Sequence, residues 1–119
     1  MATTSKIMIH GGVPTLFVND TPLPAMAYIT YLSENNCYAD FAGAGYKLFS
    51  FPVYFGGRGI NTISKIKPFE KGIYDTSGEP DFSLFDNGVE LIVKHCPDAL
   101  IFPRVNMMLP EWWEQENPL

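Results

Sequence analysis

The stretch PDALIFPRVNMMLPEWWEQENPL, residues 97–119, constrains the fold more than any other part of the chain. Its first half is almost uninterrupted apolar sequence, which is typical of a strand buried on both faces of a parallel sheet. Arg104 is the charged residue in that run, and its burial without a partner would cost several kcal/mol. Because side chains alternate along a strand, Phe102, Arg104 and Asn106 share one face. The stretch predicts a central strand and then a short helical turn.

Two earlier segments have the same apolar character. Residues 25–31, AMAYITY, and residues 46–55, YKLFSFPVYF, each predict a strand buried on both faces, with Pro52 tolerated where pairing ends. A short helix around Tyr38–Ala42 separates them, and residues 81–95 predict a longer amphipathic helix before the third strand, capped by Asp81 or Ser83. The apolar face of that longer helix comprises Phe82, Phe85, Val89, Ile92 and Val93. The alternation predicts an α/β fold with three parallel strands and two crossover helices.

The start of the chain predicts a β-hairpin. Lys6–Ile9 and Thr15–Val18 favour strands, with Gly11-Gly12 between them and a turn at Asn19-Asp20. The prolines of the following TPLP, residues 21–24, predict an extended connector without regular structure. Between the second and third parallel strands, residues 56–80 form a long loop that contains GGRG at positions 56–59, and loops of this length are often functional.

Composition excludes several classes of protein. The 119 residues make one domain, with 46% hydrophobic and 14% aromatic residues and a net charge of −5. The lack of basic runs argues against nucleic acid and anionic membranes as partners, and no apolar run is long enough to span a bilayer. No signal peptide is visible, so a cytoplasmic location is the default.

The sequence predicts no metal or cofactor. Cys37 and Cys96 stand far apart without a CxxC pattern, and they are expected to be free, mostly buried thiols. His95 ends the longer helix, where a cation complements the helix dipole. No zinc, P-loop or dinucleotide pattern occurs.

Three segments in order resemble a known family: GYKLFSFPVYFG, KGIYDTSGEPDFSLFD and VELIVKHCPDALIFPRVNMMLPEWWEQENP. They are similar to the opening of β-galactosidase-like glycoside hydrolases with a (β/α)8 barrel. The family pattern G-x-Y-D-F-S-x-F-D is matched in two separate pieces, at residues 72–75 and 81–86. A second family pattern, P-x-W followed by N-P, is matched after the third strand. The matching residues are Gly72, Tyr74, Asp75, Asp81, Phe82, Ser83, Phe85, Asp86, Pro110, Trp112, Trp113, Asn117 and Pro118.

The resemblance implies a partial TIM-barrel domain over residues 1–119. Residues 1–24 would form the hairpin and connector, and residues 25–119 the first three of eight barrel strands with two helices. Because a full barrel needs roughly 250 residues, we expect this chain to be its leading portion. Retaining glycosidases use two carboxyl groups, which the family places after strands four and seven. Both catalytic carboxylates are therefore expected beyond Leu119, and the chain alone should be inactive.

The same resemblance places five candidate substrate-binding residues at the barrel rim: Tyr31, Arg104, Asn106, Trp112 and Trp113. Arg104 would meet sugar hydroxyls there or pair with a neighbouring carboxylate, and these alternatives stay open. One tryptophan is expected to be core and the other a platform for a sugar ring. Tyr54 and Phe55 would end the second strand at the same rim. Glu111, Glu114 and Glu116 are expected to be solvated residues of a helix end.

The sequence leaves three interpretations of the function. In the first, which the resemblance implies, the chain is the leading part of a retaining glycoside hydrolase for β-linked sugars, with galactosides as the first candidates. Alternatively, it is a non-catalytic small α/β protein that binds carbohydrate or a partner. The third possibility is a shortened product that completes its sheet with another chain, because uncovered apolar faces and an open sheet edge favour self-association or pairing with the missing part of a barrel.

Overall fold

A computed structural model describes residues 3–56 and 71–118 of the protein. The elements in chain order are β1 Ser5–His10, β2 Val13–Val18, β3 Thr21–Leu23, β4 Ala27–Ile29, a 3-10 turn at Ser33–Asn35, α1 Tyr38–Gly43, β5 Leu48–Ser50, β6 Pro52–Tyr54, α2 Ser83–His95, β7 Leu100–Ile101, β8 Arg104–Asn106 and α3 Glu111–Glu116. The fold is therefore mixed α/β, as predicted. No described helix is both long and apolar enough to cross a membrane.

Two of the expectations fall outside the described residues. Residues 57–70 of the predicted long loop, which include most of its GGRG, are one of them. The other is the end of the chain at Leu119, beyond which the resemblance puts both catalytic carboxylates. The position of these carboxylates therefore stays a prediction.

The first three strands form an antiparallel meander in the order β1-β2-β3. Gly11 and Gly12 have φ angles of 58° and 83°, and Asn19 and Asp20 have φ angles of 48° and 63°. Two consecutive residues with positive φ are what a tight type I′ hairpin turn requires, so the sequence specifies both turns. The predicted hairpin is confirmed, but the prediction of an irregular TPLP was wrong. Pro22 fits in β3 because this is an edge strand.

The remaining strands are parallel, in the orders β4-β5-β7 and β6-β8. Phe102 N–H donates to the carbonyl of Phe49 at 3.1 Å, and Arg104 N–H donates to the carbonyl of Phe51 at 2.9 Å. These bonds carry the ladder across the breaks, so β5 with β6 and β7 with β8 behave as two long strands. Together with β4 they are the three parallel strands expected. The described residues form an open sheet and not a closed barrel.

One core joins this sheet to its helices. The buried residues of β5, β6 and the segment between them pack against α1 and α2, and the cluster consists of Tyr38, Phe49, Phe51, Val53, Ile92 and Cys96. Phe85 and Val89 of α2 also pack on it, as predicted. The predicted apolar face was too wide, because Phe82 and Val93 are 47% and 39% exposed. The helix meets the sheet through a narrower stripe.

The prediction that all three parallel strands are buried on both faces was wrong for two of them. The central strand is buried, with Phe49 fully enclosed, but Ile29 of β4 and Val105 of β8 are 40% and 50% exposed. Both residues belong to outer strands, which pair with a described strand on one side, whereas Phe49 lies on the central strand. Apolar sequence alone does not reveal the position of a strand in its sheet.

Candidate functional site

The parallel strands end at a common edge of the sheet, where several polar and aromatic side chains gather. Tyr31 follows β4 by two residues, Tyr54 ends β6, and Asn106 ends β8. Tyr54 pairs with Asn106 in the parallel ladder, and Pro52 pairs with Arg104. Ligand sites of α/β sheets lie at the carboxyl ends of strands, so this edge is the first place to look for a site.

Arg104 and Asn106 lie on the sheet face that α2 leaves uncovered. Phe51 and Val53 point into the core beneath α2. Because side chains alternate and paired residues share a face, Pro52, Arg104 and Asn106 face the opposite side. We define Tyr31, Arg104, Asn106, Trp112 and Trp113, the five residues named from the sequence, as the rim cluster.

The structure brings Tyr31 and Arg104 together although 73 positions separate them. The Arg104 guanidinium donates a hydrogen bond to the Tyr31 hydroxyl, and its carbon lies 5.5 Å from the centre of the Tyr31 ring. The contact combines a hydrogen bond with a cation–π interaction. It connects the start of β8 to the segment after β4, across the position of β6.

The alternative that Arg104 pairs with a neighbouring carboxylate is not found. Its side chain is exposed, and within residues 3–56 and 71–118 no ion pair engages it. A guanidinium carries five N–H donors in a planar fork, and the contact with Tyr31 uses one donor group. Arg104 therefore presents further donors on the open face of the sheet.

Asn106 has a structural role at the end of β8. Its side-chain oxygen accepts a hydrogen bond from Met108 N–H at 3.2 Å, and its carbonyl accepts one from Phe55 N–H at 2.9 Å. These bonds fix the turn after the strand and extend the ladder with β6. The side chain is half-buried, and the site is accordingly less open at Asn106 than at Arg104.

The structure distinguishes the two tryptophans, which the sequence left open. Trp112 is half-buried, and its indole N–H donates to the carbonyl of Tyr74 at 2.6 Å. Trp113 is 39% exposed, and its backbone N–H bonds to the carbonyl of Pro110 at the start of α3. Trp112 is the core residue of the pair, and Trp113 is the one with an accessible ring.

Two glycines allow the backbone segments beneath α3 to approach closely. A Cβ atom on Gly72 would lie 2.5 Å from the carbonyl carbon of Gly56, and one on Gly56 would lie 2.7 Å from backbone atoms of Leu109 and Pro110. Such distances exclude any side chain unless the backbone moves. The Gly72 of the sequence motif therefore serves the packing of the rim and not its chemistry.

Asp81 and Lys71 form an ion pair beside the start of α2. The Asp81 carboxylate also accepts a hydrogen bond from Ser83 N–H at 2.9 Å, but the N-cap residue of α2 is Phe82, so neither Asp81 nor Ser83 is the predicted cap. The hydrogen bond from Lys71, followed by the bonds from Ser83, holds the pKa of Asp81 well below its usual range. This carboxylate is fully charged at neutral pH and is not suited to donate a proton.

A cavity of about 740 Å³ lies between the segment after β4, the edge of β6 and the first turns of α2. We call it the α2 cavity. Sequence reasoning missed it, because its walls come from three separate segments and follow no spacing pattern. The residues that line it are Thr30, Tyr31, Leu32, Ser33, Glu34, Asn35, Tyr38, Phe51, Pro52, Val53, Tyr54, Lys71, Ile73, Asp81, Leu84, Phe85, Asn87, Gly88 and Leu91.

The described residues contain no cluster of histidine, cysteine and acidic side chains that could hold a metal ion. Both cysteines are free, with Cys96 buried and Cys37 exposed. Cys96 lies 3.4 Å from a carboxylate oxygen of Asp98, and burial raises the pKa of its thiol, so a reactive thiolate is disfavoured. The rim cluster offers hydrogen-bond donors at Arg104 and an exposed aromatic ring at Trp113.

Comparison with protein-family models, with curated proteins and with solved structures gives no match for this chain.

Proposed function

We propose that this chain supplies the sugar-binding part of a retaining glycoside hydrolase for β-linked sugars, of the β-galactosidase-like (β/α)8 class. In this proposal the rim cluster binds the sugar, and both catalytic carboxylates come from strands that would follow Leu119. The 119-residue chain alone binds sugar and does not hydrolyse it.

The contact between Arg104 and Tyr31 is the observation that carries the proposal. It places a guanidinium with spare N–H donors at the carboxyl ends of parallel strands, on the face opposite α2. In a (β/α)8 barrel that position is the inner rim, where active sites are built. Sugar hydroxyls accept hydrogen bonds from such donors, and the exposed ring of Trp113 offers an apolar surface for a sugar face.

The strand order also supports a barrel. The three parallel strands are neighbours in the order in which they occur in the chain, with α1 and α2 in the two connections. A barrel requires this sequential order throughout, whereas a doubly wound sheet with the order 2-1-3 does not have it. The sheet face opposite α2 is uncovered and β8 is an outer strand with exposed side chains. Both features are consistent with a sheet that continues with further strands beyond β8.

The exposed apolar side chains around β8 support self-association as part of the same proposal. Phe102, Val105 and Met107 are 49%, 50% and 67% exposed. No described strand pairs with the second edge of β8, and such edges favour pairing with another chain. The isolated chain is therefore expected to sediment as a dimer or larger species, through the apolar edge of β8 that further barrel strands would otherwise cover.

The second candidate function is a non-catalytic small α/β binding protein. The α2 cavity favours it, because this cavity has the size of a small-molecule site and needs no further strands. A monomer with a single cooperative melting transition would support this candidate and count against the barrel proposal.

The test is a titration of the wild-type chain with methyl β-galactoside and lactose, followed by tryptophan fluorescence. We expect a saturable change in wild type and at least tenfold weaker binding in Arg104→Met. Trp113→Ala removes the exposed fluorophore, so its loss of binding is measured by calorimetry. Glu116→Gln, a conservative change at an exposed position of α3, is the matched control and should bind as wild type does.

A parallel assay with 4-nitrophenyl β-galactoside should show no turnover. Measurable hydrolysis would refute the claim that both catalytic carboxylates lie beyond Leu119. Absence of binding by any β-linked sugar, including glucosides and xylosides, would refute the sugar-binding proposal itself.

A further inference from the structure

The α2 cavity has the dimensions and lining of a small-molecule site. Its volume of about 740 Å³ falls within the range of roughly 300–1,000 Å³ that ligand pockets occupy. Much of its wall is aromatic or aliphatic, from Tyr31, Tyr38, Phe51, Tyr54, Leu84, Phe85 and Leu91. Such walls favour a ligand with a flat, apolar body.

The charged groups at the cavity do not favour a charged ligand. Lys71 and Asp81 both line it, but they form an ion pair with each other, so their charges offset one another. Glu34 also lines the cavity, but its side chain is exposed and water screens its charge. The ligand that fits best is neutral.

Tyr38 adds a polar group to this apolar cavity. The residue is 2% exposed, and its backbone N–H, not its hydroxyl, bonds to the Asn36 side chain at 3.3 Å. No hydrogen bond within residues 3–56 and 71–118 uses the hydroxyl. Over the same residues, every fully enclosed side-chain nitrogen or oxygen atom has a hydrogen-bond partner. The Tyr38 hydroxyl must therefore border open space, and the open space that this residue borders is the cavity.

The environment of Tyr38 keeps its hydroxyl protonated. Burial, and then the nearby Tyr28, raises its pKa to about 12. At neutral pH the group is consequently a hydrogen-bond donor inside an apolar wall. A ligand that fills the cavity excludes water from this hydroxyl, so a ligand with an acceptor avoids the free-energy cost of an unpaired buried donor.

We infer that the α2 cavity binds a neutral, planar aromatic molecule that carries one hydrogen-bond acceptor, which receives the Tyr38 hydroxyl proton in a hydrogen bond. The apolar walls hold the ring system, and Tyr38 selects for the acceptor. Of the rim cluster only Tyr31 borders this cavity, so the inference does not depend on sugar binding.

Two probes of nearly equal shape test this inference. Quinoline has a ring nitrogen that accepts a hydrogen bond, whereas naphthalene has a C–H group in its place. Each is titrated into the ¹⁵N-labelled wild-type chain and followed by NMR. We expect saturable shifts at cavity residues such as Leu84 and Asn87, with quinoline preferred about threefold to tenfold after correction for partition into an apolar solvent.

Tyr38→Phe should abolish the preference for quinoline while both probes still bind. Tyr46→Phe is the matched control, because its hydroxyl lies outside the cavity lining and contacts the Met26 sulfur at 4.0 Å. It should keep the preference. Leu84→Trp, which places an indole in the cavity, should weaken both probes at least tenfold.

Three results would overturn the inference: no saturable shifts up to the solubility of the probes, shifts confined to residues outside the cavity, or a preference that survives in Tyr38→Phe. If Tyr38→Phe does not fold, intermolecular NOEs from quinoline to the Tyr38 and Phe85 rings of the wild-type chain decide the question. Their presence supports the inference, and their absence refutes it.

Discussion

The guanidinium of Arg104 lies over the ring of Tyr31 and donates a hydrogen bond to its hydroxyl, with 5.5 Å between the guanidinium carbon and the ring centre. Tyr31 follows the first parallel strand and Arg104 begins the last part of the third. The contact therefore orients two rim residues on the open face of the sheet. Because both residues are exposed, its main consequence is expected in binding and not in stability.

Tyr31→Phe and Arg104→Met test that expectation. Tyr31→Phe keeps the cation–π contact and loses the hydrogen bond, and Arg104→Met keeps only an apolar stem. Each should lower the free energy of unfolding by less than about 1 kcal/mol, because exposed polar contacts contribute little. Sugar affinity should fall in both, and more in Arg104→Met. A loss above about 2 kcal/mol in urea unfolding would identify the pair as structural instead.

The two tryptophans should differ in what they support. Trp112→Phe removes the hydrogen bond to the Tyr74 carbonyl and part of a half-buried ring, and it should cost about 1–3 kcal/mol of stability. Trp113→Phe alters an exposed ring and should cost less than about 0.5 kcal/mol. Urea unfolding measures both values. Equal losses would contradict the assignment of Trp112 to the core and Trp113 to the surface.

Gly72→Ala should destabilise the rim. The added Cβ would lie 2.5 Å from the backbone of Gly56, and backbone cannot move aside as a side-chain tip can, so we expect a loss of about 1–3 kcal/mol or more. Gly43→Ala at the end of α1 is the matched control, because its Cβ meets nothing within 4 Å. Its stability should stay unchanged or rise by up to about 1 kcal/mol. Thermal unfolding of both variants measures the difference.

Asp81 should contribute to acid sensitivity. Its pKa is lower in the folded chain than the value of about 3.9 expected when unfolded, so the stabilisation by its charged form is present above that value and is lost as the pH falls below it. The difference in melting temperature between wild type and Asp81→Asn should be constant above about pH 5 and should shrink below about pH 4. Lys71→Met should bring the pKa of Asp81, measured by NMR, back towards about 3.9. If the difference in melting temperature grew as the pH falls, this would contradict a lowered pKa of Asp81 in the folded chain.

The secondary-structure elements that could be predicted from the sequence are those with a strong local pattern of residues. The glycines at 11 and 12 and the Asn19-Asp20 pair specify tight turns, and the helix from Ser83 carries an apolar stripe that packs on the core. Parallel strands also followed from alternation of β and α elements. β3 was missed because two prolines within three residues argue against a strand, and only its position at a sheet edge makes it acceptable.

The burial of the individual strands and the presence of the α2 cavity could not be predicted, because both depend on what packs against each surface. An apolar run such as residues 100–105 looks the same whether both faces or one face is covered, and Arg104 was accordingly expected in the interior. Tyr38 gave no signal for a binding role, since an aromatic residue in a helix is usually core. The rim contact between Tyr31 and Arg104 requires the register of three strands, which no local pattern contains.

The most direct test of the sugar-binding proposal is to follow the two indole N–H signals by NMR while methyl β-galactoside and other β-linked sugars are added to the wild-type chain. The proposal predicts a saturable shift of the Trp113 signal, while the Trp112 signal, held by the Tyr74 carbonyl, moves little. No saturable shift of the Trp113 signal with any of the sugars would contradict it.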